Sequence, residues 1–161
     1  MTTKNTLAAL FDIAVDLAAS LSTGERFERL LTATRRVIPC GAAAILKLED
    51  GSLRPLATAG LKREVMGRRF QIAGHPRFIH ILENPGITRF DVDSELPDPY
   101  DGLLQSVDGE LPVHACMGAR LIVQEKIWGA ITFDDLQSNA FEGIEDDLVQ
   151  TFSAFAAAAA S

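Results

Sequence analysis

Cys116 and Asp134 are the residues whose types and spacing first suggest chemistry. In 113–123 the odd positions Val113, Ala115, Met117, Ala119, Leu121 and Val123 are all apolar, while the even ones include His114, Cys116, Gly118 and Arg120. Such alternation predicts a strand with its odd face on a core. In 127–134 the matching set is Ile127, Gly129, Ile131 and Phe133. Keeping both sets on one face requires odd to pair with odd, as a three-residue turn Gln124-Glu125-Lys126 would give. Cys116 then lies directly opposite Asp134, with Cβ atoms roughly 4.5 to 5.5 Å apart. A thiolate and a carboxylate so placed can share one cation, and without a cation they repel. The same residues admit a plainer reading, with Cys116 a small buried hydrophobe and Asp134 a cap of the strand end or of the turn Gln137-Ser138-Asn139.

A second group is Asp93-Ser94-Glu95-Leu96-Pro97-Asp98-Pro99-Tyr100-Asp101-Gly102. Asp98 before Pro99 has the form of a helix N-cap with proline in the first turn, and Asp101 three residues on shares its side. The two carboxylates either converge on one ligand or serve as a cap and a dipole partner. His75-Pro76-Arg77 and His114 add candidate ligands or supporting donors. There is no GxxxxGK[ST] loop, no GxSxG and no HExxH, and 60–67 lacks the glycine spacing of a dinucleotide turn. Nothing in these motifs requires an enzyme.

These residues need a scaffold, and the chain supplies one. Leu7, Leu10, Phe11, Ala14, Leu17, Ala18 and Leu21 have helical spacing, as do Phe27, Leu30, Leu31, Thr34, Val37 and Ile38 after the turn Ser22-Thr23-Gly24. Residues 42–48 and 53–59 read as a hairpin about Glu49-Asp50-Gly51-Ser52. Short strands are expected at 68–72 and 87–90, a helix at 75–82, and a long connection at 93–112. Two strands, 113–123 and 127–134, precede a final helix through Phe141, Ile144, Leu148, Phe152, Phe155 and Ala159. The expected architecture is α+β, an antiparallel sheet flanked by N-terminal and C-terminal helices, with residues 1–161 as one domain.

Composition narrows the function. The chain has 161 residues, 47% apolar, enough for a core. Its net charge of −7 argues against direct contact with nucleic acid. No apolar run approaches the roughly 18 residues of a membrane span. The first residues lack a secretory pattern, so a cytoplasmic protein is expected. Two cysteines, Cys40 and Cys116, are too few for a disulfide framework or a four-cysteine zinc site.

The layout of helix, helix, hairpin, crossing segment, hairpin and helix resembles a GAF domain. Within that superfamily, Gly74-His75-Pro76-Arg77, the acidic block 93–103, Val113-His114-Ala115-Cys116 and Gly129-Ala130-Ile131-Thr132-Phe133-Asp134 resemble the N-terminal sensor domain of the NorR family of nitric oxide-responsive regulators. The resemblance runs over nearly the whole chain. It implies a mononuclear non-haem Fe(II) centre that binds nitric oxide, with Asp98, Asp101, Cys116 and Asp134 as metal ligands. Arg77 and His114 then belong to the same site. A guanidinium is a poor ligand, so Arg77 is expected beside Asp98 or Asp101. His114 is expected as a supporting hydrogen-bonding residue on the face of Cys116. The resemblance further implies control of an AAA+ ATPase in a sigma-54-dependent activator, with the alanine-rich segment 155–161 running on as a helix toward it. Homodimerisation through the terminal helices is a further expectation. The competing readings are a GAF domain for a cyclic nucleotide or another metabolite, which converging carboxylates would disfavour, and a free methionine sulfoxide reductase, for which Cys116 has no evident resolving thiol.

Overall fold

A computed structural model describes residues 3–105, 113 and 115–161. Its elements are helices α1 (Thr3–Ala18) and α2 (Thr23–Val37), strands β1 (Ala42–Glu49) and β2 (Ser52–Ala59), a 3₁₀ turn (Arg63–Gly67), and β3 (Phe70–Gln71). Helix α3 (Pro76–Glu83), strands β4 (Thr88–Phe90), β5 (Ala115–Val123) and β6 (Lys126–Asp135), and helix α4 (Asp146–Ala160) follow. The six strands form one antiparallel sheet in the order β3-β2-β1-β6-β5-β4. This is the expected α+β architecture, and no helix among the described residues is long and apolar enough to cross a membrane.

Local chemistry sets most boundaries. Ser22 Oγ accepts the Glu25 N–H at 3.2 Å and opens α2. Asp50 and Gly51, at φ +49° and +76°, make the two-residue turn between β1 and β2. Residues Phe141 and Ile144, expected inside the last helix, instead precede it in turns, and α4 starts at Asp146. Glu145, at ψ 148°, is extended and holds the helix back to that point.

The last hairpin corrects one expectation. Its turn has two residues, Gln124 and Glu125, both at positive φ, and not the three-residue turn read from the sequence. That turn matches the twist of the strands but offsets the pairing. A bulge restores the offset: Ile122 pairs Ile127, Leu121 pairs Gly129, and Trp128 is the extra residue, its ring 5.7 Å from that of Phe27. Ile127 therefore leaves the core-facing set and is 37% exposed. From Gly129 onward the expected odd-with-odd register holds, and Cys116 pairs Asp134.

Both faces of the sheet are covered. The odd face, with Ile45, Met117, Ile131 and Phe133, packs under α1, α2 and α4 through Ile13, Phe27, Leu31, Val149 and Phe152. The opposite face, with Ala42, Ala44, Leu46 and Ala130, lies under α3 and the segment ending at Leu104, through Phe70, Phe78, Ile81, Tyr100 and Leu103. That segment is tied down at Gly60: the Gln105 N–H donates to its carbonyl at 2.7 Å, and Lys62 N–H donates to Leu103 O at 2.8 Å. Gly60 sits at φ +76° with a virtual Cβ 1.9 Å from Gly41 O, so only glycine fits there.

Candidate metal centre

Asp134 stands in β6 with a strand on either side, opposite Ala42 of β1 and Cys116 of β5. The small Ala42 leaves room beside it, and the segment after β4 brings Asp98 over the same spot. Asp98 Oδ, Cys116 Sγ and Asp134 Oδ all lie within 4.8 Å of one another, and all three residues are buried. Asp134 has no exposed surface, and neither of its carboxylate oxygens has a hydrogen-bond partner among the described residues. An orphaned carboxylate in a sheet interior carries a large desolvation cost unless a cation meets it.

A guanidinium meets one of the three. Arg77, near the start of α3, is 5% exposed; its Nη1 donates to Asp98 Oδ2 at 3.1 Å and its Nε to Leu96 O at 2.8 Å. Its guanidinium also lies 4.8 Å from the Phe90 ring centroid, an edge-strand residue paired with Cys116. Arg77 thus stands beside Asp98, as the sequence suggested. Three acidic groups against one guanidinium leave an excess of negative charge if all three ionise. Burial first, then the Asp98 charge, hold the Asp134 carboxyl well above its usual range. Burial, then Asp134, do the same to the Cys116 thiol. Two carboxylate oxygens and one sulfur form a donor set suited to a divalent transition ion.

The expected helix at Asp98–Pro99 is a single turn. Asp98 Oδ1 accepts the Tyr100 N–H at 2.8 Å, Asp101 N–H donates to Asp98 O at 3.1 Å, and Gly102 at φ +76° ends it. Asp101 is consequently not brought to the other three. It is exposed, with Oδ1 accepting Val113 N–H at 2.6 Å and Oδ2 accepting Asp98 N–H at 3.3 Å. It braces the loop that carries Asp98. His114 lies outside the described residues. His75 is not at the cluster: its Nδ1 meets Gln71 O at 2.7 Å and its ring packs on Phe70.

Tyr100 and Thr132 were not singled out from the sequence. The Tyr100 hydroxyl and Thr132 Oγ1 are 3.2 Å apart, both buried, and burial with the Asp134 charge raises the phenol pKa well above its usual value. The signals were present: Tyr100 is the only tyrosine, and Thr132 shares a strand face with Asp134 two residues on. Phe70, Phe78 and Tyr100 pack edge to face over this side of the sheet. Cys40, partly buried, has its thiol pushed up to about 12 by burial. Neither thiol has the lowered pKa that a reductase nucleophile needs.

The chain is 42% identical over 153 residues, 95% of its length, to a protein of Serratia proteamaculans named anaerobic nitric oxide reductase transcription regulator NorR. It is 42% identical over 154 residues, 96% of its length, to the protein of the same name from Aliivibrio fischeri. In both cases the chain spans 30% of the relative's length. Among solved structures, the GAF domain of a phosphoenolpyruvate-protein phosphotransferase from Coxiella burnetii superposes at TM-score 0.81 and 20% identity, covering 99% of this chain and 95% of that one. The Acinetobacter counterpart superposes at 0.74 and 14% identity, covering 99% and 95%. The model of the GAF domain matches residues 22–160, and with two covered faces on a six-stranded antiparallel sheet the chain belongs to the GAF domain family.

Proposed function

We propose that this domain is the nitric oxide-sensing, non-enzymatic regulatory domain of a sigma-54-dependent transcription activator, acting in the cytoplasm on an adjacent AAA+ ATPase. In this reading it holds one non-haem Fe(II) through Cys116, Asp98 and Asp134. The observation that carries the reading is Asp134, a fully buried carboxyl group without a hydrogen-bond partner among the described residues, with an Asp98 oxygen and the Cys116 sulfur within 4.8 Å. With Arg77 contributing one positive charge, a divalent ion brings the three ionised donors to neutrality. The gas and the regulatory role rest on the relatives, whose name makes them regulators of nitric oxide reductase.

Bound there, Fe(II) would supply an electron-rich centre able to take nitric oxide, with the thiolate adding electron density. The chain's own groups do the rest. Arg77 fixes the orientation of Asp98 and offsets one of the buried charges. Tyr100 and Thr132 close the side of the cluster to water. Asp101 serves by position, holding the backbone at Asp98 and Val113 in register; entering the coordination shell would cost it both hydrogen bonds. On α1, Leu7, Phe11 and Val15 form a stripe 61%, 69% and 50% exposed, which we assign to self-association.

Anaerobic loading of the chain with Fe(II), followed by nitric oxide and EPR, tests the reading. Uptake of about one iron and an iron-bound nitric oxide signal are expected. Cys116→Ala and Asp134→Asn should lose both, and Asp101→Ala should keep the signal with weakened iron affinity. A folded wild-type chain that takes up no iron refutes the centre. Full loss in Asp101→Ala with its fold retained makes Asp101 a ligand.

A further inference from the structure

Of the three candidate ligands, Asp98 and Asp134 are sealed: the side chain of Asp98 and the whole of Asp134 have no exposed surface. Arg77, Tyr100 and Thr132 around them are at most 5% exposed. Cys116 differs, because it forms part of the wall of a cavity of about 190 Å³ that opens at the β4 edge of the sheet. We propose that this cavity is the entry and docking pocket through which a small, uncharged molecule reaches the cluster from its Cys116 side. The inference deepens the sensor reading and rests on it for the identity of the molecule.

Size, lining and charge support the assignment. The volume is below the roughly 300 Å³ at which organic-ligand pockets begin, and holds only a few water-sized molecules. Phe90, Ala115 and Phe141 give it apolar walls, which favour a neutral gas over a hydrated ion. Asp91 and Glu142 stand among its exposed lining residues and repel anions such as nitrite. The remaining cation, Arg89, is committed elsewhere. Its Nε and Nη2 donate to Asp146 Oδ1 at 3.1 and 2.9 Å, Nη1 to Phe141 O at 3.0 Å, and Nη2 also to Ile144 O. That clamp fixes the Phe141 wall against β4, and it joins the pocket to the first residue of α4. Phe90 is the shared element: it lines the pocket, pairs with Cys116 and carries the Arg77 guanidinium on its ring.

The pocket is tested first without metal, in a Cys40→Ser background, by mass-spectrometric timing of Cys116 modification. The probes are methyl methanethiosulfonate, small and neutral, and its anionic sulfonatoethyl analogue, each normalised to a free thiol. The neutral probe should react at least about tenfold faster. Ser138→Trp, at the rim, should slow it at least about fivefold, and Phe141→Ala should speed it. Asp91→Trp repeats the test if Ser138→Trp fails to fold. Equal rates for the two probes, with no effect of either tryptophan, mean that Cys116 is reached by general opening and overturn the pocket. In the iron-loaded chain, Ser138→Trp should slow nitric oxide association by a similar factor at unchanged iron content; an unchanged rate also overturns it. A chain that takes no iron removes the sensor reading, while the labelling still decides the pocket.

Discussion

Replacing Asp134 by Asn should stabilise the metal-free chain while abolishing metal binding. The aspartate carries two buried oxygens without hydrogen-bond partners among the described residues and faces a second acidic side chain, Asp98. An asparagine of the same shape stays neutral without having to hold a proton and presents an N–H₂ that can donate to Asp98. Relief of one unsatisfied buried polar group is worth about 1 to 3 kcal/mol. For a chain of this size that corresponds to roughly 2 to 12 °C in Tm. The sign with pH follows from the raised pKa. The protonated Asp134 stabilises the fold fully below its unfolded value of 3.8, and this contribution is lost as pH rises through the folded value. The advantage of Asn is therefore absent in acid, grows with pH and levels off once the folded group ionises. Saturating Co(II) at 100 times Kd stabilises only the wild type, by about 2.7 kcal/mol, and cancels or reverses the order. Urea denaturation followed by circular dichroism, with and without anaerobic Co(II), measures all of this. Metal-free Asp134→Asn that is less stable than wild type at pH 7.5, or a variant that gains as much from Co(II), refutes the reasoning.

Because Cys116 and Asp134 both have raised pKa values, metal uptake must release their protons, and log affinity for Co(II) should climb with pH at a slope approaching about 2; a flat profile of the thiolate charge-transfer band counts against both as ligands. Arg77→Leu strands Asp98 beside Asp134 and should cost about 3 to 5 kcal/mol, most of it recovered by adding Asp98→Asn, as a double-mutant denaturation series would show. Gly129→Ala places a Cβ 1.9 Å from Leu46 O, against backbone, and should cost about 3 kcal/mol or more by parting β6 from β1; a wild-type melting curve would contradict that geometry. Phe11→Glu should leave the melting curve intact and shift the sedimentation coefficient from dimer to monomer, and an unchanged coefficient removes the α1 face from self-association.

Much of the fold was legible because its signals are periodic and local. The stripe Phe27, Leu30, Leu31, Thr34 and Val37 is α2, and Asp-Gly at 50–51 is the first hairpin turn. Cys116 opposite Asp134 was legible too, since slipping the register by one residue would turn Ile131 and Phe133 out of the core. The route to that register was not. A two-residue turn with a compensating bulge at Trp128 gives the same pairing beyond Gly129 as a three-residue turn, and apolar spacing does not distinguish them.

The acidic block shows the limit of spacing. Asp98, Pro99 and Asp101 satisfy the rules for a helix cap, and those rules place both carboxylates on one side. In the fold Gly102 ends the turn after one revolution, and backbone N–H groups from Asp98 and Val113 occupy Asp101. The sequence by itself determined which residues lie on the buried strand face and which one stands opposite another, because strand alternation and hairpin pairing are short-range geometry. Only the tertiary structure decided that Asp98 joins Cys116 and Asp134, that Arg77 backs it from α3, and that Asp101 does not converge with them. Those contacts join segments about 20 to 35 residues apart, and they depend on how a second layer, anchored at Gly60 and Leu104, packs over the sheet.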